Sequence, residues 1–182
     1  VPRRRQKLGD DAHRPRPFAL GPREMDRAHA KGGFVKWVTR RRPRVNRTAT
    51  AWIIRRFVDP DAEILFVDPA EVAVIQQRDG AIGFDAPGAT YPHRDAHGRC
   101  SFEALAEEHR PDDAALQLLA RIVHGADFAD EVHTTPESAG LRAISQGFPL
   151  VATDDHELLE KAFFVYDALF PYLRERSQCE KQ

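Results

Sequence analysis

The chain has few cysteines, almost no net charge and no long apolar run, and each shortage removes a class of protein. Cys100 and Cys179 are the only two cysteines in 182 residues, and no Cys-x-x-Cys pair occurs. A disulfide framework, a zinc ribbon and a dithiol redox motif are excluded, and a reducing cytoplasm is the expected setting. Apolar runs such as Ala51 to Ile54 and Ala162 to Tyr166 fall far short of the roughly 20 residues a membrane span needs. No apolar signal-peptide region lies near the start. The 27 basic residues are matched by 28 acidic ones, so the chain lacks the overall positive field of a dedicated nucleic-acid binder. Any basic site is local.

What is present is unevenly distributed. Residues 1 to 33 carry nine basic and four acidic residues, repeated proline and glycine and no hydrophobic period, which reads as a flexible basic leader or linker. A single folded domain is expected over residues 34–176, with a polar tail at 177–182. A domain of this size buries roughly two-thirds of its unfolded surface, enough for a true core.

The alternating, aromatic and β-branched segment Phe34 to Thr39 predicts a strand. Arg47 to Val58 places Ala51, Ile54 and Val58 near one face and stops at Asp59-Pro60, a helix. Ala62 to Val67 reads as a second strand, Asp68-Pro69 caps a short helix to about Gln77, and Ile82 to Phe84 suggests a third strand before a loop. Helices follow from an N-cap at Ser101, from Pro111 to about Gly125 and from Pro136 to about Gln146. A long last helix, capped by Asp154 or Asp155, carries Leu158, Leu159, Ala162, Phe163, Tyr166, Leu169 and Phe170 on its apolar face. The expected fold is α+β and mainly helical: a small strand-rich start, then a helical second half, rather than alternating βαβ units.

Soft-ligand and proton-transfer side chains crowd between Asp85 and His133, where His93, Asp95, His97, Cys100, Glu103, His109, His124 and Asp127 lie around two predicted helices. His124 and Asp127, three residues apart at a helix end, share a face if the helix continues through Gly125. Glu103 in the preceding helix and a loop histidine, His93 or His97, would complete a mixed nitrogen and oxygen site for zinc, iron or manganese. Capping or a solvated face is the alternative for the His124 pair, and solvent exposure is the expectation for His109 and His133. Cys100, beside His97 and Arg99, reads either as a thiol of depressed pKa serving as nucleophile, ligand or redox sensor, or as a small buried hydrophobe.

A second cluster is cationic. Seven arginines lie between Thr39 and Arg56. With a helix N-terminus near Arg47, these groups, Arg47, Arg55 and Arg56 among them, could fork around an oxyanion or phosphate; the alternative is that several form a solvated face, with Arg47 and Arg55 pairing to carboxylates such as Asp59 or Glu63.

The ordered motifs resemble a known family. Trp37-Val38-Thr39-Arg40, Arg42-Pro43, Arg47, Ala49 and Trp52 to Asp59 are followed by Phe84-Asp85, His93, Cys100-Ser101-Phe102-Glu103, Ile122-Val123-His124 with Asp127, Ala139-Gly140-Leu141 and Tyr166 to Leu169. Together they resemble the C-terminal domain of chromate-resistance proteins of the ChrB type over about residues 34 to 174. The resemblance implies a regulatory role in chromate resistance and puts weight on His93, Glu103, His124 and Asp127 as metal ligands. Three positions depart from the family pattern: Asn46 replaces an aspartate, Thr50 a cysteine and Gly125 an acidic residue.

The expected function is a metal-binding domain that senses or responds to chromate. The alternatives are a metal-dependent enzyme acting on an anionic small molecule, with an exchangeable metal position, and a metal-free helical interaction domain. Chromate or another small oxyanion is the expected ligand. The apolar last helix could support a homodimer, and nucleic acid would be reached only through an upstream module or the basic leader.

Overall fold

The computed structural model describes residues 35–179; the expected leader and the end of the tail lie outside them. Strand β1 (Lys36–Arg40) is the centre of a three-stranded parallel sheet of order β2-β1-β3, with β2 at Glu63–Val67 and β3 at Ile82–Gly83. Trp37 pairs with Ile64 on one side and with Ile82 on the other. The strand period of two divides the side chains: Trp37 and Ile64 enter the main core, while Val38, Leu65 and Val67 pack with Val72 and Ala81 in a smaller cluster. Burial on both faces is what a parallel sheet with helical crossovers requires.

Helix α1 (Val45–Ile53) links β1 to β2, and α2 (Val72–Asp79) links β2 to β3. The start of the domain is therefore an alternating β-α-β-α-β unit, a correction to the expected absence of such units, although the whole remains α+β and mainly helical. Strands of two to five residues carry too little pattern to declare their partners.

All nine residues of α1 are buried. It is the central element, flanked by α3 (Ser101–His109), α4 (Ala114–Asp127) and α6 (Asp155–Cys179), with α5 (Ser138–Val151) packed on α4 and α6. Its polar side chains are paired: the Thr48 and Tyr166 hydroxyls lie 2.7 Å apart, and Trp52 Nε1 donates to Asp167 at 2.7 Å. A π-helical turn over Ile54–Val58 ends the helix, closed by the Asp59 amide donating to the Ile54 carbonyl.

Cap chemistry follows the sequence with one correction. Asp113 caps α4 by accepting the Leu116 amide at 3.1 Å, and Asp154 accepts the amides of His156 and Glu157 at the start of α6. At α3 the N-cap is Cys100, not Ser101, in a reciprocal capping box with Glu103. Helix α5 runs past the expected Gln146 and through Pro149 to Val151, and α6 takes in residues 177–179 of the expected tail. No helix among the described residues is long and apolar enough to cross a membrane.

Candidate metal centre

The site begins with Asp85, two residues after β3. Its φ is +48°, in the left-handed region that non-glycine residues seldom occupy. Its amide donates to the Tyr91 carbonyl at 2.8 Å, and its side chain is 3% exposed. Four neighbours donate to that carboxylate. Oδ2 takes Arg47 at 3.0 Å and Arg40 at 3.2 Å; Oδ1 takes Asn46 at 3.1 Å and meets His93 Nδ1 at 2.6 Å. The strained conformation persists because surrounding pairs over-determine it.

Asp127, the last residue of α4, faces the same point. Its Oδ2 is buried and makes no hydrogen bond to any described group, while His93 Nδ1 stands 3.4 Å away. Asp85, His93 and Asp127 offer one ligand atom each within 4.8 Å of one another. Burial and the Asp85 charge push the Asp127 carboxyl up to about 6. Burial also disfavours the Asp85 anion, but His93, Arg47 and Arg40 overcome it and hold that carboxyl below its usual range. The Asp85 hydrogen bond in turn raises the His93 imidazole against the opposing effect of its partial burial.

The second group lies beside the first. His124 Nδ1 is 2.5 Å from Glu103 Oε2, and Nε2 is 2.8 Å from Glu131 Oε2. Cys100, Glu103 and His124 also bring ligand atoms within 4.8 Å of one another. The Phe128 ring touches both groups, with the His93 ring at 5.1 Å and the His124 ring at 4.6 Å between centroids. Arg94 stacks on Phe128 and pairs with Glu131 at 2.5 Å.

The four residues expected to share one ion thus fall into two groups, His93 with Asp127 and Glu103 with His124. His97 is exposed and belongs to neither; its amide donates to Asp95. Cys100 is fully buried, and burial with the Glu103 charge raises its thiol well above the ordinary range, which removes the expectation of a depressed pKa. The three arginines also separate. Arg47 faces Asp85, whereas the π-helical turn sends Arg55 to Glu160 and Arg56 to Asp167, with Arg56 also over the Phe163 ring. Arg47 pairs with neither Asp59 nor Glu63.

Sequence reasoning missed Asp85, Arg40, Asn46 and Glu131 as members of the site. Asp85 had a signal: a lone acid between an apolar strand and Ala86-Pro87, where a solvated turn would carry more polar residues. Glu131 had none. It returns to His124 only because a 3-10 turn over Ala129–Glu131 reverses the chain after α4.

The chain is 36% identical over 140 residues to Protein ChrB of Cupriavidus metallidurans, an alignment covering 75% of this chain and 40% of that protein. It therefore spans about two-fifths of the length of that relative. No solved structure matches. The family model described as the ChrB C-terminal domain matches residues 37–173, a span from the central strand to the last turns of α6, and the chain belongs to that family.

Proposed function

We propose that this domain acts in chromate resistance by holding a divalent first-row metal ion at Asp85, His93 and Asp127 and responding there to chromate. The observation that carries the reading is the buried Asp127 Oδ2, which takes no hydrogen bond from any described group and has His93 Nδ1 at 3.4 Å beside a second carboxylate. Buried polar atoms are almost always satisfied, and a carboxylate in this position calls for a cation or a proton. One imidazole and two carboxylates are a donor set suited to zinc, iron or manganese. Bound there, the ion would supply Lewis acidity and positive charge.

Charge supports an oxyanion beside it. Two arginines, Arg40 and Arg47, already balance Asp85 and Asp127. A divalent ion then leaves two net positive charges, the complement of a dianion such as chromate. His93, with 46% of its side chain exposed, and Arg40, at 29%, are the solvent-facing members. A metal-free network would leave Asp127 Oδ2 with only a proton or the 3.4 Å contact to His93.

Elemental analysis of protein purified without chelator, and again after reconstitution with zinc, iron or manganese, tests the reading. About one equivalent should disappear in both Asp127→Asn and His93→Ala. Calorimetry should then find chromate, or redox-inert sulfate, binding the loaded protein and not the apo form. Full metal content in both variants would overturn the assignment.

A further inference from the structure

His124 poses a question that the Asp85 triad does not answer. Both of its ring nitrogens face carboxylate oxygens, at 2.5 and 2.8 Å. A ring with a proton on each nitrogen donates to both carboxylates. Arg94 anchors Glu131 at 2.5 Å, so Nε2–H stays on that carboxylate, while a cation can take the place of the proton on Nδ1, the nitrogen that faces Glu103 in the group with Cys100. A carboxylate that holds a histidine by its far nitrogen is the usual outer partner of a metal-bound imidazole.

The group around Nδ1 is mixed and enclosed. Cys100 is fully buried, and the His124 and Glu103 side chains are only 13% and 20% exposed. Each comes from a fixed element: the N-cap of α3, its first turn and the last turn of α4. Ligand atoms around a tetrahedral zinc stand roughly 3.3–3.8 Å apart for bonds of 2.0–2.3 Å, so a group spanning at most 4.8 Å closes on an ion with small side-chain shifts. Gly125 holds the outer partner close. A Cβ there would meet Ser138 Oγ at 2.6 Å and the Glu131 carbonyl at 2.9 Å, so only glycine allows the 3-10 turn to lie flush on α4.

From this geometry we infer that Cys100 Sγ, Glu103 and His124 Nδ1 form a second cation site, softer than the first and selective for a zinc-class divalent ion, with Glu131 orienting the imidazole. On binding, His124 Nδ1 and the Cys100 thiol release their protons to solvent and the thiol coordinates as thiolate, leaving a fourth position for water or an exchangeable ligand. The site shares no ligand with the Asp85 triad and stands independently of it.

The test is a titration of the whole apo chain with cobalt(II), a zinc surrogate whose thiolate bond gives a near-ultraviolet charge-transfer band. Two equivalents are expected in the wild-type chain, with the band. Cys100→Ser should bind one equivalent without the band, and Asp127→Asn one equivalent with it. Because Cys100 is buried, Glu131→Gln provides a second arm: the thiol remains, and affinity at the banded site should fall roughly 10–100-fold. One equivalent without the band, lost in Asp127→Asn, overturns the second site and leaves the first standing. One banded equivalent indifferent to Asp127→Asn supports the second and overturns the first. A single banded equivalent lost in both variants means one shared site and overturns the inference, as does unchanged affinity in Glu131→Gln.

Discussion

Asp127 and Asn46 bear most directly on the proposed cation site. With its carboxyl near 6 against an ordinary 3.8, Asp127 binds its proton more tightly folded than unfolded. Its contribution to stability is therefore complete below about pH 4, lost as pH rises toward 6, and absent at neutrality. The raised His93 imidazole acts in the same direction at higher pH. Asp127→Asn should make the apo protein more stable at pH 7 by about 1–3 kcal/mol, with the gain vanishing near pH 4; denaturant melts at both pH values check it. No gain at pH 7 would mean that burial does not hold the Asp127 carboxyl above its ordinary range. Asn46 donates to Asp85 Oδ1 at 3.1 Å. Asn46→Asp would replace a donor by a like charge, costing the apo form about 1–3 kcal/mol, yet it adds a carboxylate ligand. Chelator competition should show tighter metal binding in that variant, and weaker binding would argue that Asn46 lies outside the coordination sphere. His93 and Asp127 were legible as ligand types in the sequence. Asp85 was not, because its meaning depends on four donors from β1, α1 and the His93 loop.

At the scale of elements, legibility followed local chemistry. The Asp113 cap with an apolar 3.6-residue period specified α4, and Asp154 specified the start of α6. Features set by packing were not visible: the parallel register of β1, the π-helical turn that separates Arg47 from Arg55 and Arg56, and the 3-10 turn that returns Glu131. The last depends on one residue. Gly125→Ala should push the turn off α4 and lengthen the His124 to Glu131 contact, costing about 1–3 kcal/mol as an overpacked contact. Denaturant melts give the loss, and the His124 ring resonances should shift with it. An unchanged melt would mean that Ser138 and the turn yield freely.

On the scale of the whole molecule, the two groups sit where separate parts of the chain meet. Asp85 and His93 belong to the segment leaving the sheet, Cys100 and Glu103 to the start of α3, and Asp127 and His124 to the end of α4. An ion in either group fastens one of those segments to α4 without touching the core around Trp52, Tyr166 and Phe170. Stabilisation should therefore be both global and local. Ion at 100 times its dissociation constant raises unfolding free energy by about 2.7 kcal/mol per site, reversed by chelator. Hydrogen exchange should slow chiefly over residues 84–104 and 123–132, while α1 and α6, already protected by burial, change little. Binding confined to Asp85, His93 and Asp127 would protect residues 84–94 but not the 100–104 turn, so the pattern separates one site from two. Equal slowing everywhere would mean that the ion acts only on global unfolding, and that neither loop is free to open in the apo protein.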